Sequence, residues 1–457
     1  MNAVVFGGGN IGRGLVAPVL HDAGYAITVV DADLDLIREL SDQKKFSLHH
    51  TDGTIEAVAI TGAVAAQDEE AVIAAVAQAD LVATAVGGSI LPIVAPPIRD
   101  GLNKNTRPAV NVIACENTHP NSGLLEEAIA GDLTRGDVGF PEVVVDRIVI
   151  PAQGLDVSVE ASFEFFVDAH QWVGQDPPEG IQLVDDIDAY LTRKLWLVNG
   201  LHATVAFEGL LRGYEFIHEA ITHPAIAEDV GIIASNMVTV LADRHPHMSK
   251  EHLEATAAAS LHRFADSSIA DALLRVARNP LQKLSANERL LGPAVAADEM
   301  DLPIESHGRA IAASLSLPPH ADVAGADMLR QALDTKGWRT IMEEEGVQPG
   351  SRLMEAIATS MESQGETVDT TNVESITILN PSGLHARPAS IIVEHMKNSE
   401  ATVTIQKGEK VANAASILSV LTLGASTGDE VTVSGEGEGA EAAVSFIKGV
   451  LVSEDGE

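Results

Sequence analysis

A glycine-rich turn held between an apolar run and a helical stretch constrains this chain more than any other feature. "AVVFGGGNIGRG", beginning at Ala3, sets Gly7-x-Gly9-x-x-Gly12 directly after β-branched and aromatic side chains. Each glycine answers a separate backbone demand. Gly7 permits a tight turn out of the strand, Gly9 lets backbone approach a pyrophosphate, and Gly12 lets helix and strand pack closely. The first N–H groups of the helix then face the phosphates. Nineteen residues past Gly12, the run "AITVVD" ends on Asp31, where a carboxylate accepts from ribose hydroxyls and repels a 2′-phosphate. A glycine triplet alone also fits an unrelated turn or an FAD site, but strand, turn, helix and acid in one register select a dinucleotide. NAD is the expected cofactor, held by Phe6, Gly7, Gly8, Gly9, Asn10, Ile11, Gly12 and Asp31. Arg13 has two readings, a pyrophosphate contact or an exposed helix position.

The runs "AVVF", "AITVVD", "DLVATAV" and "AVNVIA" alternate with Ala-rich helical stretches, as a parallel sheet buried on both faces requires. "LDVSVEASFEFFVD", residues 155–168, alternates more openly and is expected to extend that sheet with antiparallel strands. Beyond Asp185 helical periodicity dominates to about Met361, and residues 363–373, "SQGETVDTTNV", lapse into small and acidic side chains like a linker. The remainder returns to period-two strands in the order β-α-β-(β)-α-β-α. The expected fold class is α/β: a Rossmann-type dinucleotide-binding domain (1–190), a mostly helical substrate domain (191–362), the linker, and a C-terminal α+β open-faced sandwich (374–457).

A formal net charge of -37 argues against nucleic acid or an anionic membrane as a partner. An anionic substrate therefore needs locally clustered Arg and Lys. The single cysteine, Cys115, forms no internal disulfide, which makes a reducing cytoplasm the expectation. "MNAVVFGGGN" lacks a basic n-region and breaks its apolar run with glycines, so it does not suit a signal peptide. The apolar segment from Ala71 to Ile98 is interrupted by Gln78, Asp80, Gly87, Gly88 and Pro92, so no membrane insertion is expected.

"KLWLVNGLH" holds Lys194, Asn199 and His202 at the spacing Lys-x4-Asn-x2-His, within roughly half of an α-helix surface at about 3.6 residues per turn. A Lys whose pKa burial lowers accepts a hydroxyl proton as hydride leaves, and an Asn amide steadies the oxyanion. On spacing alone, a surface Lys, a capping Asn and a satisfied His fit as well. "HEAITH" sets His218 and His223 five apart, wrong for a metal-binding helix, and His245, His247, His252 and His262 lack partner ligands, so no metal is expected. Cys115 reads as a packed side chain rather than a nucleophile.

"KLWLVNGLH" resembles the signature of the polyol-specific long-chain dehydrogenases, and three further stretches agree in order. "ACENTHPN" resembles that family's segment after the fourth strand, which implies Asn117 as a second oxyanion-stabilising amide. "VVVDRIVIP" resembles its Asp-Arg motif, implying Asp146 beside the catalytic Lys. "RVARNPLQKLSANERL" resembles its substrate-binding region, implying Arg275 and Lys283 on the substrate, and Arg278 joins them on charge and proximity in sequence. The place of the glycine motif close to Met1 is most similar to members acting on sugar-alcohol phosphates. The resemblance implies metal-independent, reversible oxidation of D-mannitol 1-phosphate to D-fructose 6-phosphate by NAD, with Lys194 as base, Asn117 and Asn199 on the carbonyl oxygen, and His202 orienting a neighbouring hydroxyl.

"NPSGLHARPAS" sets His385 before a helix opening on Arg387 and Pro388, so that an anion on the imidazole meets a helix N-terminus and a guanidinium. On geometry alone, a surface His near a helix start fits too. "GLHARPA" resembles the active-site loop of HPr, the phosphocarrier of the sugar phosphotransferase system. That implies a phosphoryl group taken by His385 from Enzyme I and passed to a sugar-specific Enzyme IIA. "NAASILSVLTLG" is similar to its second helix, implying Ser416 as a regulatory serine, although Ala415 stands where the family has Lys. The competing expectation is a dehydrogenase for another polyol or a hexuronate, with the HPr-like region serving only as a docking or regulatory module.

Overall fold

Parallel strands rich in Val, Ile and Ala bury both faces, and six of them build the centre of the first compact unit, Met1–Lys194. The computed structural model describes all residues except 152, 153, 319, 320, 369–371, 382, 398, 400, 409, 437, 438 and 454–457. The six strands lie in the spatial order Gly62–Ala65, Ala26–Asp31, Asn2–Phe6, Leu81–Thr84, Val110–Ala114, Val138–Gly139. Counted along the chain this is the order 3-2-1-4-5-6, whose direction of winding reverses beside Asn2–Phe6 and opens a crevice at the strand ends. Alternation within that strand divides the core. Ala3 and Val5 pack with Ile27, Val29, Leu81 and Ala83 on one face, while Val4 and Phe6 pack with Val30, Val82 and Val112 on the other.

Residues 155–168 do not extend this sheet. Val157–Val159 pairs with Val149–Pro151 and with Lys45–His50, and Glu164–Asp168 pairs with Val143–Asp146 and Gln182–Val184, forming two further small sheets. The period-two pattern showed one buried face but not which strand edge it would join, because that choice is made by distant segments.

In the second unit, Leu195–Glu457, the helix Leu201–Leu211 packs on Pro224–Arg244 and on Glu305–Leu315, which in turn packs on Arg352–Val368. Pro224–Arg244 is the one helix among the described residues long and apolar enough to cross a membrane. It carries Asp229 and Asn236 into the protein core instead: both Asp229 oxygens accept from Arg309 Nε, at 2.8 and 3.0 Å, and one also from Arg309 Nη2, while Asn236 donates to the Pro303 carbonyl at 2.6 Å. The helix Arg352–Val368 continues into the stretch expected as linker, and residues 369–371 lie outside the described ones.

The C-terminal sheet is antiparallel, ordered Asn372–Thr377, Glu430–Glu436, Thr402–Lys407, Lys410–Asn413. Val403 and Ile405 point into a core shared with Ile376, Val431 and Val433 and closed by Ile392 and Ile447 from the helices Ala386–Met396 and Ala440–Val452, while Gln406 stays outside. This is the open-faced sandwich that the strand and helix order implies.

Glu208 is 2% exposed and lies near Asp229, Arg309 and Arg212. Burial, reinforced by the Asp229 carboxylate, pushes its carboxyl up to about 8. A raised folded-state pKa gives stability that is fully present in acid and is lost as pH rises through the folded value. Thermal melts should therefore fall progressively from about pH 5 to pH 9. Glu208→Gln should flatten that slope and melt above the unsubstituted protein at pH 9; equal slopes would contradict the assignment.

Candidate functional site

The glycine turn is built by backbone contact too close for side chains. Gly7 has φ +94° and donates to the Val30 carbonyl at 2.8 Å, and a Cβ there would sit 2.3 Å from the Ala85 carbonyl oxygen. A Cβ on Gly12 would fall 1.8 Å from the Gly7 oxygen. At Gly9, by contrast, nothing lies within 4 Å of that position, and Gly9 and Asn10 are exposed at the turn. Phe6 is buried in the core, so only its backbone reaches the turn. Ile11 is half-buried against the core, and the chain after it makes a π-helical turn, Gly12–Val16, that runs into Ala17–Asp22.

Asp31 ties the second strand to this turn. Its carboxylate accepts from Gly8 N–H at 2.6 Å and from Asp33 N–H at 2.9 Å. Arg13 is not an exposed helix residue: it is buried, with Nε donating to the Gly8 carbonyl at 2.6 Å and Nη1 to the Leu155 carbonyl. The guanidinium braces the turn from behind, and burial lowers its pKa against the opposing pull of Asp31.

Asn117 is exposed between two anchored stretches. Before it, the buried Glu116 carboxylate accepts from Thr84 Oγ1 at 2.9 Å, Val86 N–H at 2.9 Å and Gly87 N–H at 2.7 Å. After it, Glu142 accepts from Asn121 and Gly123 N–H, each at 2.8 Å. Sequence reasoning missed both acids, since a lone Glu carries no sign that it will be buried under backbone donors. Cys115 is buried and its thiol is pushed well up, first by burial and then by Glu116, as the packing reading requires. Asp146 ends the strand Val143–Asp146, and the next residue, Arg147, donates to the Gly14 carbonyl at 2.9 Å and the Glu160 carbonyl at 3.0 Å, fixing that strand end against the glycine-turn helix.

The segment expected as plain α-helix has a different pitch. Lys194–Gly200 is π-helical, between Ile187–Arg193 and Leu201–Leu211. Because π hydrogen bonds join residues five apart, Lys194 and Asn199 stand one turn from each other along the helix, closer to alignment than the 3.6-residue period gives. Gly200 permits this packing, since a Cβ there would lie 2.7 Å from the Arg289 carbonyl oxygen.

In the second unit, His202 Nε2 lies 3.1 Å from Asp271 Oδ2, and its ring stacks on Phe264 at 4.8 Å between centroids. Arg275 Nε and Nη2 donate to the same carboxylate at 2.7 and 2.6 Å. Lys283 is buried and donates to the Arg278 carbonyl, while the Arg278 side chain is exposed. Burial, then the nearby Arg289 and Arg278, lower the Lys283 ammonium to about 7. Neither Asp271 nor Arg289 was singled out from the sequence. Their roles depend on neighbours 69 and 89 positions from His202 and Gly200 respectively, which no local pattern marks.

In the C-terminal region His385 occupies the N-cap of Ala386–Met396, exposed like Arg387. Gly383, at φ +59°, turns the chain where a Cβ would meet the Ala425 oxygen at 2.8 Å. Ser416 caps Ile417–Thr422 and donates to Glu215 Oε1 at 2.6 Å, while Asn413 Nδ2 donates to the Gly213 carbonyl at 2.6 Å.

Residues 1–179 match the mannitol dehydrogenase Rossmann domain and 186–363 the mannitol dehydrogenase C-terminal domain. A mannitol-1-phosphate 5-dehydrogenase of Brevibacillus brevis is 36% identical over 379 residues, covering 78% of this chain and 96% of the relative. The chain belongs to the mannitol dehydrogenase family. A second such relative, the mannitol-1-phosphate 5-dehydrogenase of Bacillus velezensis, is 34% identical over 75% of this chain and 95% of its own. Pseudomonas fluorescens mannitol 2-dehydrogenase, solved with NAD and D-mannitol, shares the family fold with a TM-score of 0.64 at 17% identity, over 80% of this chain and 92% of that one. To its mannitol dehydrogenase domains this family member adds residues 373–452, which match the PTS HPr component phosphorylation site.

Gly12→Ala forces the turn apart at the Gly7 carbonyl. NADH binding followed by fluorescence should weaken at least about tenfold, the scale on which one misplaced hydrogen-bonding contact acts. Unchanged binding would remove the turn from the cofactor site.

Proposed function

We propose that this protein is a cytoplasmic NAD-dependent mannitol-1-phosphate 5-dehydrogenase carrying its own phosphocarrier domain. The observation that carries the reading is the alignment with relatives of that name over 95% or more of their length, and the glycine turn ending at Asp31 supports the cofactor. Open space over Gly9 and the N–H groups around it fit a pyrophosphate, and Asp31 stands where a ribose hydroxyl would donate. NAD bound there supplies the hydride acceptor.

In this mechanism Lys194, neutral in its productive form, takes the proton from a secondary hydroxyl, and the O–H electron pair becomes the second bond of the new carbonyl. Asn117 and Asn199 donate to that oxygen as charge develops on it, and Asp146 sets the charge environment of the base. His202 and Arg275 hold neighbouring hydroxyls, and Lys283 with Arg278 supplies positive charge for the phosphate. With an ammonium pKa near 7, Lys283 is poised to take up a proton when a phosphate dianion arrives.

His385 takes a phosphoryl group from Enzyme I, with Arg387 and the helix N-terminus receiving the charge, and passes it to an Enzyme IIA. The bonds from Asn413 to Gly213 and from Ser416 to Glu215 favour a second role, in which the carrier domain seats on the helical domain and Ser416 is its regulatory position.

NAD reduction with mannitol 1-phosphate should exceed that with free mannitol by at least about a hundredfold in kcat/KM, as a lost charged contact set implies. Lys194→Ala should abolish turnover and leave NADH binding within about twofold. Preference for free mannitol, or an active Lys194→Ala enzyme, would reject the reading. Separately, labelled phosphoenolpyruvate with Enzyme I should place an acid-labile label on the protein, lost in His385→Ala; no label would leave only the docking role.

A further inference from the structure

One buried carboxylate holds two of the proposed substrate residues at once. Asp271 is 5% exposed, and its two oxygens receive three N–H donors: Arg275 Nε, Arg275 Nη2 and His202 Nε2. Its backbone is held as firmly. Ile217 N–H donates to the Asp271 carbonyl at 3.0 Å, and Leu273 N–H to the Glu215 carbonyl at 2.9 Å, across a bridge between Phe216 and Ala272. The carboxylate is therefore anchored to a different stretch of chain from the helix that carries His202.

We propose that Asp271 is a positioning residue of the polyol site: it fixes the tautomer of His202 and the plane of Arg275, so that one presents an acceptor and the other a donor to adjacent substrate hydroxyls. This rests on the placement of His202 and Arg275 at the substrate given above. An ionised carboxylate only accepts, so the imidazole nitrogen facing it carries the hydrogen. Burial, acting against Asp271 and assisted by Arg275 and Arg263, lowers the pKa of His202 and keeps the ring neutral. The second nitrogen, Nδ1, then offers a lone pair to a substrate O–H. Arg275 commits Nε and Nη2 to Asp271, and its side chain is half exposed, leaving Nη1 directed to a hydroxyl or phosphoryl oxygen. Stacking on Phe264 sets the remaining freedom of the imidazole. The Arg275 guanidinium and the N–H groups facing it explain why Asp271 remains ionised: hydrogen bonds from the neutral His202 and from Arg275 hold its pKa far below the ordinary carboxylate range despite burial.

The test uses the full-length protein as Asp271→Asn and Asp271→Glu. Asn has one acceptor oxygen and an amide that donates, so three donors cannot all be met, and either Arg275 is released or His202 exchanges its tautomer. ¹⁵N-histidine spectra, with the His202 signal assigned through His202→Gln, should show the Nε2-protonated form in the parent and loss of that form in Asp271→Asn. KM for the polyol phosphate should rise about ten- to a hundredfold with a smaller change in kcat, since the base is untouched, while NADH binding stays within about twofold. Asp271→Glu should recover most of the loss. An unaltered tautomer and KM in Asp271→Asn would overturn the proposal. So would equal damage in Asn and Glu variants with the tautomer retained, which marks a merely structural carboxylate. The kinetic arm is read with whichever polyol the parent oxidises, so a wrong substrate shows in the parent protein and a wrong role for Asp271 shows only in the variants.

Discussion

Backbone against backbone at the glycine turn is the contact on which the nucleotide-binding unit depends. The first strand, the turn and the following helix close within 1.8 Å of where a Gly12 side chain would begin, and Gly7 meets the Ala85 carbonyl almost as tightly. Only absent side chains permit that approach. Two charged residues then hold it. Asp31 pulls the Gly8 N–H toward the second strand, and Arg13 pulls the Gly8 carbonyl toward Leu155, so the peptide groups on either side of Gly8 are fixed while Gly9 faces outward.

A similar economy recurs wherever a polar side chain must be held still in this acidic protein. Glu116 gathers Thr84, Val86 and Gly87; Glu142 gathers Asn121 and Gly123; Asp271 gathers His202 and Arg275. In each case a buried or nearly buried carboxylate accepts several donors and so ties down a stretch of chain distant from its own. Such bonds are stronger than neutral ones and costly to leave half made, so they specify geometry as well as stabilise it. The large negative charge thus includes structural anions beside the solvated surface ones.

Much of this was legible before any coordinates. The glycine spacing, Asp31, the buried parallel strands, the helical second region and the C-terminal alternation of strands and helices each follow from local demands on backbone or periodicity, and each stands in the structure. The joining of residues 155–168 to separate sheets was not legible, because a strand edge is chosen by partners elsewhere in the chain. The π-helical pitch at Lys194–Gly200 was hidden for the same kind of reason: Gly200 accommodates the Arg289 carbonyl, a contact 89 residues away.

The sequence by itself determined which residue types are proposed for the chemistry and the short-range spacings that present them: the glycine cradle and its acid, Lys194 with Asn199 and His202, and His385 at a helix start. Tertiary structure alone decided how the donors and acceptors among them are oriented. Arg13 could contact a pyrophosphate or lie exposed on its pattern, and the structure buries it against the Gly8 and Leu155 carbonyls; His202 has two nitrogens on its pattern, and it is Nε2 that faces Asp271. The physical reason is that hydrogen-bond direction and burial are properties of the neighbours in space, which a linear spacing does not contain.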